Sequence, residues 1–295
     1  MDQENTDHGN PGRTPGASDK LEQLETRLAP LRKVVLAFSG GVDSTFLLAV
    51  LGKDPGRKVI AVTALSPTHP HQEQEAARSL ARLFSAEHRE ITGDEILLEG
   101  FRTNPPDRCY HCKKHLFSKI EEIRRQEGCE VVLDGSNVDD LSDFRPGLRA
   151  LEELGVKSPL QEAGLNKAEI RALSEEMELP TWNKPSLACL ASRIPYGTEI
   201  TEEALSRIDR CEAFLLERVH GSVRVRYHGN LARIELAPEA FQEVLAHHEA
   251  IVGYFKQQGF VYVTLDLEGY RAGSMNEVLL PTDREAPDSE ETPQE

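Results

Sequence analysis

Apolar positions follow two different periods along the first half of the chain. Three short apolar runs have the length of buried strands, at residues 34–37, 58–65 and 130–133, and residues 88–92 are a further short strand candidate. Between them, other stretches carry apolar side chains at helical spacing, at residues 46–51, 71–84 and 116–125. Strands that alternate with helices predict an α/β fold, in which a parallel sheet carries helices on both faces.

From residue 201 the pattern changes to that of a smaller α+β domain. It predicts helices at 202–218 and 238–255, a hairpin of two strands at 222–227 and 231–236, and a last strand at 260–267. The polar, Pro-containing ends of the chain lack apolar periodicity, so we expect them to be disordered. The predicted division is a tail at 1–20, a nucleotide-binding domain at 21–185, a substrate domain at 186–280 and an acidic tail at 281–295.

Length and charge narrow the classes of function. The chain has 295 residues and a formal net charge of −16, whereas proteins that grip a long nucleic acid usually carry a basic excess. No run approaches the roughly 18 apolar residues of a membrane span, and the N-terminus lacks a signal-peptide core. We therefore expect a cytoplasmic protein with no nucleic-acid and no membrane partner. Its five cysteines are then more consistent with metal binding or reactivity than with disulfides.

The turn after the first strand reads Phe-Ser-Gly-Gly-Val-Asp-Ser-Thr at residues 38–45. A turn of this composition that opens a helix aims backbone N–H groups and a helix N-terminus at one point, which suits a phosphate. Asp43 would repel a phosphate directly, so we assign it to Mg²⁺ carried by a nucleotide, as a catalytic residue. The lysine of the GTPase-type phosphate loop is missing here. The candidate nucleotide ligands are Ser39, Gly40, Gly41, Asp43, Ser44 and Thr45.

A second polar turn, Asp-Gly-Ser-Asn-Val-Asp-Asp at 134–140, follows the last strand of the first half. Because the carboxyl ends of parallel strands meet at one edge of a sheet, this turn should lie beside the Ser39 turn. We expect Ser136 and Asn137 to contact the nucleotide. As an alternative, these residues simply favour a turn and contact no ligand.

Three cysteines stand in suggestive settings. Cys109 and Cys112 form a Cys-x-x-Cys at the start of a helix, and Cys189 lies in a second segment at 184–197. The pair alone is compatible with zinc, completed by His111 or His115, with a redox pair, with an iron–sulfur cluster, or with no role. Neighbouring cations and a helix N-terminus predict lowered thiol pKa values. For Cys129 and Cys211 we expect no special role.

The Ser39 turn resembles the pyrophosphate loop, or PP-loop, of the N-type ATP pyrophosphatases. Together with residues 134–140 and 182–197, and with Gly-Tyr-Arg-Ala-Gly-Ser-Met-Asn-Glu at 269–277, it resembles the LarE-type sulfur transferases over about residues 21–280. The resemblance implies an adenine nucleotide alpha hydrolase-like sheet, ATP and Mg²⁺ as cofactors, and a homo-oligomer. It implies an enzyme that adenylylates pyridinium-3,5-biscarboxylic acid mononucleotide, releasing pyrophosphate, and makes the thiocarboxylates of the nickel-pincer nucleotide cofactor.

The resemblance offers two sources of sulfur. Some members of the family sacrifice one cysteine, which becomes dehydroalanine, and the matching position here is Cys189. Others hold a 4Fe-4S cluster on three cysteines, whose open iron carries an extra sulfide. Because Cys109 and Cys112 accompany Cys189, we expect the cluster form, with Cys189 as a catalytic residue in either case.

A phosphorylated dicarboxylate substrate requires cations. Arg224 and Arg226 alternate along a predicted strand and therefore share one face, and arginine suits bidentate phosphate contact. The alternative for such a pair is a solvated strand face. Further candidates for substrate binding are Lys184, Arg193 and Arg271. Glu235 is a candidate for holding a metal cation.

Two rival functions remain open from the sequence. One is a tRNA-thiolating or amidating enzyme on the same fold, and the other is a non-catalytic module that binds a nucleotide and zinc. The first needs a nucleic-acid surface or an ammonia source, and neither a basic extension nor a glutaminase-like segment is visible in the chain.

Overall fold

A four-stranded parallel sheet organises the first half of the protein. The computed structural model describes residues 16–141, 146–185, 188–271 and 273–279. The strands are β1 (Lys33–Ala37), β2 (Lys58–Leu65), β3 (Glu87–Thr92) and β4 (Val131–Leu133), in the order β3-β2-β1-β4. The helices are α1 (Ala17–Leu28), α2 (Val42–Leu51), α3 (His71–Leu83), α4 (Glu99–Arg102), α5 (Arg108–Glu127), α6 (Gly147–Glu153), α7 (Pro159–Glu162) and α8 (Lys167–Glu176).

Helices cover both faces of this sheet, as the pattern predicts. Successive residues of β1 point to opposite sides, so Val34 and Leu36 pack with Phe46 of α2. Val35 lies in a separate core with Phe117 of α5 and with residues of β2 and β4. The α/β fold class is therefore confirmed.

Helix α5 is much longer than the predicted 116–125. Its apolar face extends only from Leu116 to Ile123, and the turns before Leu116 pack on other parts of the chain. The Cys-x-x-Cys lies within these early turns, as expected.

The predicted tail at 1–20 ends too late. Residues 1–15 lie outside the described residues, but α1 begins at Ala17. The first turn of α1 is stabilised by Asp19, whose carboxylate accepts from Gly16 N (3.0 Å), and by the ion pair of Lys20 with Glu169 (2.7 Å). These polar contacts leave no apolar signal in the sequence. The predicted tail at 281–295 lies outside the described residues.

The second sheet has three strands, β5 (Val223–His228), β6 (Leu231–Leu236) and β7 (Tyr262–Leu265), in the order β5-β6-β7. Strands β5 and β6 form the predicted antiparallel hairpin, while β7 pairs parallel to β6. Its helices are α9 (Glu202–Leu216), α10 (Phe241–Ala246) and α11 (His248–Gln257). The single helix predicted at 238–255 is wrong, because His247 leaves helical backbone angles and separates α10 from α11.

The segment that joins the two sheets is part of a hydrophobic core. Leu190, Ala191 and Ile194 pack with residues of α4 and α9. Asn104 donates from Nδ2 to the carbonyls of Pro195 (2.8 Å) and Thr198 (3.0 Å), which ties this segment to the first half of the protein. The predicted domain boundary at residue 185 stays a prediction. Within the described ranges, the longest helices are too polar or too short to cross a bilayer.

Candidate active site

The Ser39 turn has the backbone of an anion cradle. Gly40 adopts φ +69°, and a Cβ there would lie 2.9 Å from Ala77 Cα, so only glycine fits. Ser39 Oγ accepts from Gly41 N (3.3 Å) and lies 3.1 Å from Ser44 Oγ. Gly41 is the N-cap of α2 and offers no side-chain oxygen to the helix N–H groups. The first N–H groups of α2 therefore face the turn and are suited to a phosphate.

Asp43 has one oxygen engaged and one free. Oδ2 lies 2.5 Å from Lys167 Nζ, whereas the buried Oδ1 has no partner among the described residues. Burial raises the pKa of Asp43 above its usual value, Lys167 opposes the rise, and the charge of Asp140 adds to it. An orphaned carboxylate oxygen at a phosphate cradle fits Mg²⁺, which prefers oxygen ligands.

Sequence reasoning missed Lys167, which is the first residue of α8. The helix start itself was predictable, because Asn166 accepts from Glu169 N (2.9 Å) and Glu169 returns a bond to Asn166 N (3.0 Å), a capping box. Lys167 N also donates to Asp139 Oδ2 (2.9 Å) in the turn after β4. The signal in the sequence was a lysine directly after Asn166, a residue type that favours helix N-caps.

The turn after β4 touches the Ser39 turn, as expected from the strand order. A Cβ on Gly135 would lie 3.0 Å from Ser44 N, so the two backbones meet closely there. Ser136 and Asn137 are buried at this junction. The Ser136 hydroxyl donates to Asp134 Oδ2 (2.5 Å), and Asn137 Oδ1 accepts from Asp139 N (2.9 Å). Their role as nucleotide ligands stays a prediction.

Lys184 lies beside the Ser39 turn and not with the predicted substrate arginines. Its Nζ donates to Gly40 O (3.0 Å) and pairs with Glu73 (2.8 Å). The structure therefore brings two lysines, Lys167 and Lys184, to the phosphate cradle from distant parts of the sequence.

Cys189 is held by a buried arginine. Arg193 is 0% exposed and pairs bidentately with Glu212 of α9 through Nε (2.9 Å) and Nη2 (2.8 Å). Its Nη1 donates to the carbonyls of Ala188 (2.6 Å) and Cys189 (3.0 Å). Since these bonds occupy the guanidinium, Arg193 fixes the Cys189 turn. Sequence reasoning missed Glu212. The feature that could have revealed it is an acidic residue among the apolar positions of a predicted helix.

The three cysteines are neighbours. Cys112 and Cys189 are half-buried and pack against one hydrophobic core, while Cys109 is exposed. Burial raises the pKa of Cys112 well above its usual value, with Glu95 and the other two sulfurs adding to the effect. Burial also raises the pKa of Cys189, and the charge of Cys109 raises it further.

The expectation of lowered pKa values is therefore wrong for Cys112 and Cys189. Nearby cations act in the expected direction, since Lys113 lowers the pKa of Cys112 and Arg108 lowers that of Cys189, but burial outweighs both. Arg108 donates to Asn104 Oδ1 (3.0 Å) and stacks 4.5 Å from the Tyr196 ring centroid, and Lys114 pairs with Glu153. Desolvation of the thiols is then the largest effect.

The histidines considered for zinc make other contacts. His111 Nε2 lies 3.3 Å from Asp107, and His115 Nε2 lies 2.5 Å from Asp94. Across the described residues, no group of three or more His, Cys, Asp or Glu side chains lies in an arrangement that could hold a metal ion. The expected role of Cys109, Cys112 and Cys189 in holding a 4Fe-4S cluster therefore stays a prediction.

Arg224 and Arg226 of β5 are each only 4% exposed, so the alternative of a solvated strand face is wrong. Arg226 donates to Ser192 O (3.1 Å), Glu235 Oε2 (2.6 Å) and Ser274 Oγ (3.1 Å). Arg224 lies 5.1 Å from the Tyr270 ring centroid. Burial lowers the pKa of Arg224, and the charge of Arg193 lowers it further. Both arginines thus lie in the region of the Cys189 turn.

The two remaining candidates, Glu235 and Arg271, both form ion pairs with other side chains. Glu235 is buried and its carboxylate contacts Arg226 and Arg233 (2.9 Å), so the cations it meets are guanidinium groups. Arg271 is partly exposed and pairs with Glu268 (2.7 Å) and Glu277 (3.1 Å). The predicted roles of Glu235 in metal binding and of Arg271 in substrate binding stay predictions.

Comparison with known proteins identifies the family. The family model of asparagine synthase matches residues 21–137, which include β1 to β4 and the Ser39 turn. Pyridinium-3,5-bisthiocarboxylic acid mononucleotide synthase of Lactiplantibacillus plantarum is 38% identical over 264 residues, which cover 88% of this chain and 95% of that protein. The chain belongs to the LarE family of ATP-dependent sulfur transferases.

Two uncharacterized proteins are similar over most of their length. One, from Synechocystis sp., is 42% identical over 262 residues, 88% of this chain and 98% of that protein. Another, from Methanocaldococcus jannaschii, is 32% identical over 241 residues, 82% of this chain and 92% of that protein. The resemblance to LarE-type enzymes that the sequence motifs suggest is thus confirmed.

Proposed function

We propose that this LarE-family enzyme adenylylates the carboxylates of pyridinium-3,5-biscarboxylic acid mononucleotide and converts them to thiocarboxylates for the nickel-pincer nucleotide cofactor. One observation carries the proposal. The phosphate cradle lies at the carboxyl ends of β1 and β4, and the Cys189 turn meets the end of β2, where Leu190 N donates to Thr68 O (2.7 Å). Activation and sulfur transfer thus share one edge of one sheet.

In the first step, a substrate carboxylate oxygen attacks the α-phosphorus of ATP and pyrophosphate leaves. The Ser39 turn and the N-terminus of α2 bind the phosphates, with Lys167 and Lys184 as adjacent positive charges. Asp43 Oδ1 would hold Mg²⁺, which supplies charge compensation for the leaving pyrophosphate. The product is an acyl-adenylate, in which AMP has become the leaving group.

In the second step, sulfur attacks the activated carbonyl carbon and AMP leaves. We propose that Cys109, Cys112 and Cys189 hold a 4Fe-4S cluster. When bound, this cluster supplies sulfur at an iron without a protein ligand. The neighbouring thiols and the engaged histidines support this assignment over zinc. Sacrifice of Cys189, which would leave dehydroalanine, is the competing source.

The substrate phosphate has its best candidates in Arg224 and Arg226, with Arg271 at the margin. Burial favours bidentate anion contacts, because a partly desolvated guanidinium is attracted more strongly by an opposite charge than a solvent-exposed one is. Arg193 serves the same region by holding the Cys189 turn. We also propose a homo-oligomer, which light scattering after size-exclusion chromatography measures.

Product analysis tests the proposed function. Anaerobically purified protein, ATP and the biscarboxylate mononucleotide should yield AMP, pyrophosphate and a thiocarboxylate, with no turnover when the mononucleotide is left out. ADP as the main nucleotide product would refute the proposal. Metal analysis of the same preparation distinguishes iron with sulfide from zinc, and a mobility-shift assay with bulk tRNA detects a nucleic-acid substrate.

A further inference from the structure

A buried carboxylate beside the cysteines has no place in the mechanism above. Glu95 directly follows Gly93 and Asp94 at the end of β3 and is 0% exposed. Its neighbour Asp94 faces outward and pairs with His115 and Lys119. Gly93 lets the ends of β2 and β3 approach, since a Cβ there would lie 2.5 Å from Ser66 Cβ.

Glu95 is satisfied by hydroxyl groups instead of a cation. Its Oε1 accepts from Ser66 Oγ and from Thr68 Oγ1 (2.9 Å), and these two hydroxyl oxygens lie 2.8 Å apart. Its Oε2 is buried with no partner among the described residues. A desolvated carboxylate without a cation is costly, and an orphaned buried oxygen requires an explanation other than stability.

Thr68 connects Glu95 to the turn that carries Cys189. Its carbonyl accepts from Leu190 N (2.7 Å), the residue after Cys189. Its hydroxyl donates to Glu95, so Thr68 is held through both its side chain and its backbone. Because a carboxylate only accepts, Glu95 draws the Thr68 hydroxyl proton toward itself and fixes a group that otherwise rotates freely. Ile96, the residue after Glu95, lies in the hydrophobic core against which Cys112 and Cys189 pack, so Glu95 is next to the region of both cysteines.

We propose that Glu95 is a positioning residue for sulfur transfer, which anchors Thr68 through its hydroxyl and thereby holds the Cys189 turn where the activated carboxylate arrives. This inference rests on the proposed function and extends it. Glu95 belongs to the second step only, because the phosphate cradle lies at other strands of the sheet.

The experiment separates the two steps in single-turnover reactions with ATP and the biscarboxylate mononucleotide. Pyrophosphate release reports adenylylation, and thiocarboxylate formation reports sulfur transfer. Glu95→Ala and Thr68→Val should each lower thiocarboxylate formation about 10²-fold, the loss expected for a reacting group displaced by about an ångström. Pyrophosphate release should change less than about threefold, within the usual effect of a residue outside that step.

Conservative variants provide the matched controls. Thr68→Ser keeps the hydroxyl and Glu95→Gln keeps an oxygen that accepts from both hydroxyls, so each should retain most of the sulfur transfer. Asp94→Asn removes the adjacent outward carboxylate and should leave both steps unchanged. The double variant Glu95→Ala with Thr68→Val should be no slower than either single variant, because both changes break the same connection between Glu95 and Thr68.

Several results would overturn the inference. Positioning through Thr68 is contradicted if pyrophosphate release and sulfur transfer fall equally. It is also contradicted if Thr68→Ser is as slow as Thr68→Val, or if the losses add in the double variant. If Glu95→Ala fails to fold by circular dichroism, the two Thr68 variants still decide. A wild-type protein that releases pyrophosphate without forming thiocarboxylate contradicts the proposed function instead.

Discussion

Replacing Arg193 by methionine should reveal whether this arginine holds the Cys189 turn or binds substrate. Methionine has similar length and no charge. The change removes the five hydrogen bonds that Arg193 donates to Glu212, Ala188, Cys189 and Ser192. It also leaves the buried Glu212 carboxylate without a cation, although Val225 N still donates to it (2.8 Å).

The expected loss follows from burial. Removing one partner of a buried ion pair typically costs about 3–5 kcal/mol, because the other charge remains desolvated and unpaired. This is a large part of a typical total stability of about 5–15 kcal/mol. Arg193→Met with Glu212→Leu removes both charges and should recover much of the loss. Arg193→Lys should recover little, because an ammonium cannot form the bidentate contact.

Urea unfolding followed by circular dichroism measures these differences, with the slope of each transition checked for constancy. The sequence alone suggested that Arg193 contacts the substrate phosphate. In that case Arg193→Met would cost under about 1 kcal/mol, the range of an ordinary surface change, and would raise KM for the mononucleotide. Such a result, with no recovery in the double variant, would refute the positioning role.

Three further predictions address other parts of the protein. Asp43→Ala should slow pyrophosphate release at least about 10²-fold, as for loss of a group that stabilises developing charge; a smaller loss contradicts its assignment to Mg²⁺. Cys109→Ala or Cys112→Ala should remove the visible absorption of the anaerobic protein and sulfur transfer while pyrophosphate release persists. If instead these variants stay active and intact mass shows a loss of about 34 Da at Cys189, that cysteine is consumed. Asp94→Asn should destabilise the protein by less than about 1 kcal/mol at pH 7, since the pair is partly exposed. Lys119 and then His115 lower the pKa of Asp94 to about 2. The difference in free energy of unfolding between wild type and Asp94→Asn should therefore shrink as pH falls from about 4 to 2, because Asp94 becomes protonated in the folded and the unfolded protein. An unchanged difference at pH 2 contradicts this prediction.

Local patterns determined the parts of the site that need only neighbouring residues. The Ser39 turn follows from a strand, a Gly-rich turn and a helix in sequence, and the start of α8 follows from the capping box at Asn166. The meeting of Gly135 with Ser44 followed from the rule that parallel strands end at one edge. Apolar runs that alternate with helical patterns correctly predicted helices on both faces of the first sheet.

Partners of charged groups were decided by the tertiary structure. Asp43 and Lys167 are 124 residues apart, and Lys184 is 144 residues from Gly40. No local periodicity links such positions, because long side chains find partners only after the backbone has folded. Sequence reasoning therefore chose plausible cations but could not tell that Lys184 lies at the phosphate cradle, or that Arg193 is engaged with Glu212.

The sequence by itself determined that the protein carries a PP-loop and three cysteines in suggestive settings, because residue types and their spacing are visible in it. Only the tertiary structure decided the electrostatic state of those groups. Cations beside Cys112 in sequence suggested a lowered pKa, yet burial raises it. The physical reason is that desolvation depends on everything packed around a group, whereas sequence neighbours supply only a part of that environment.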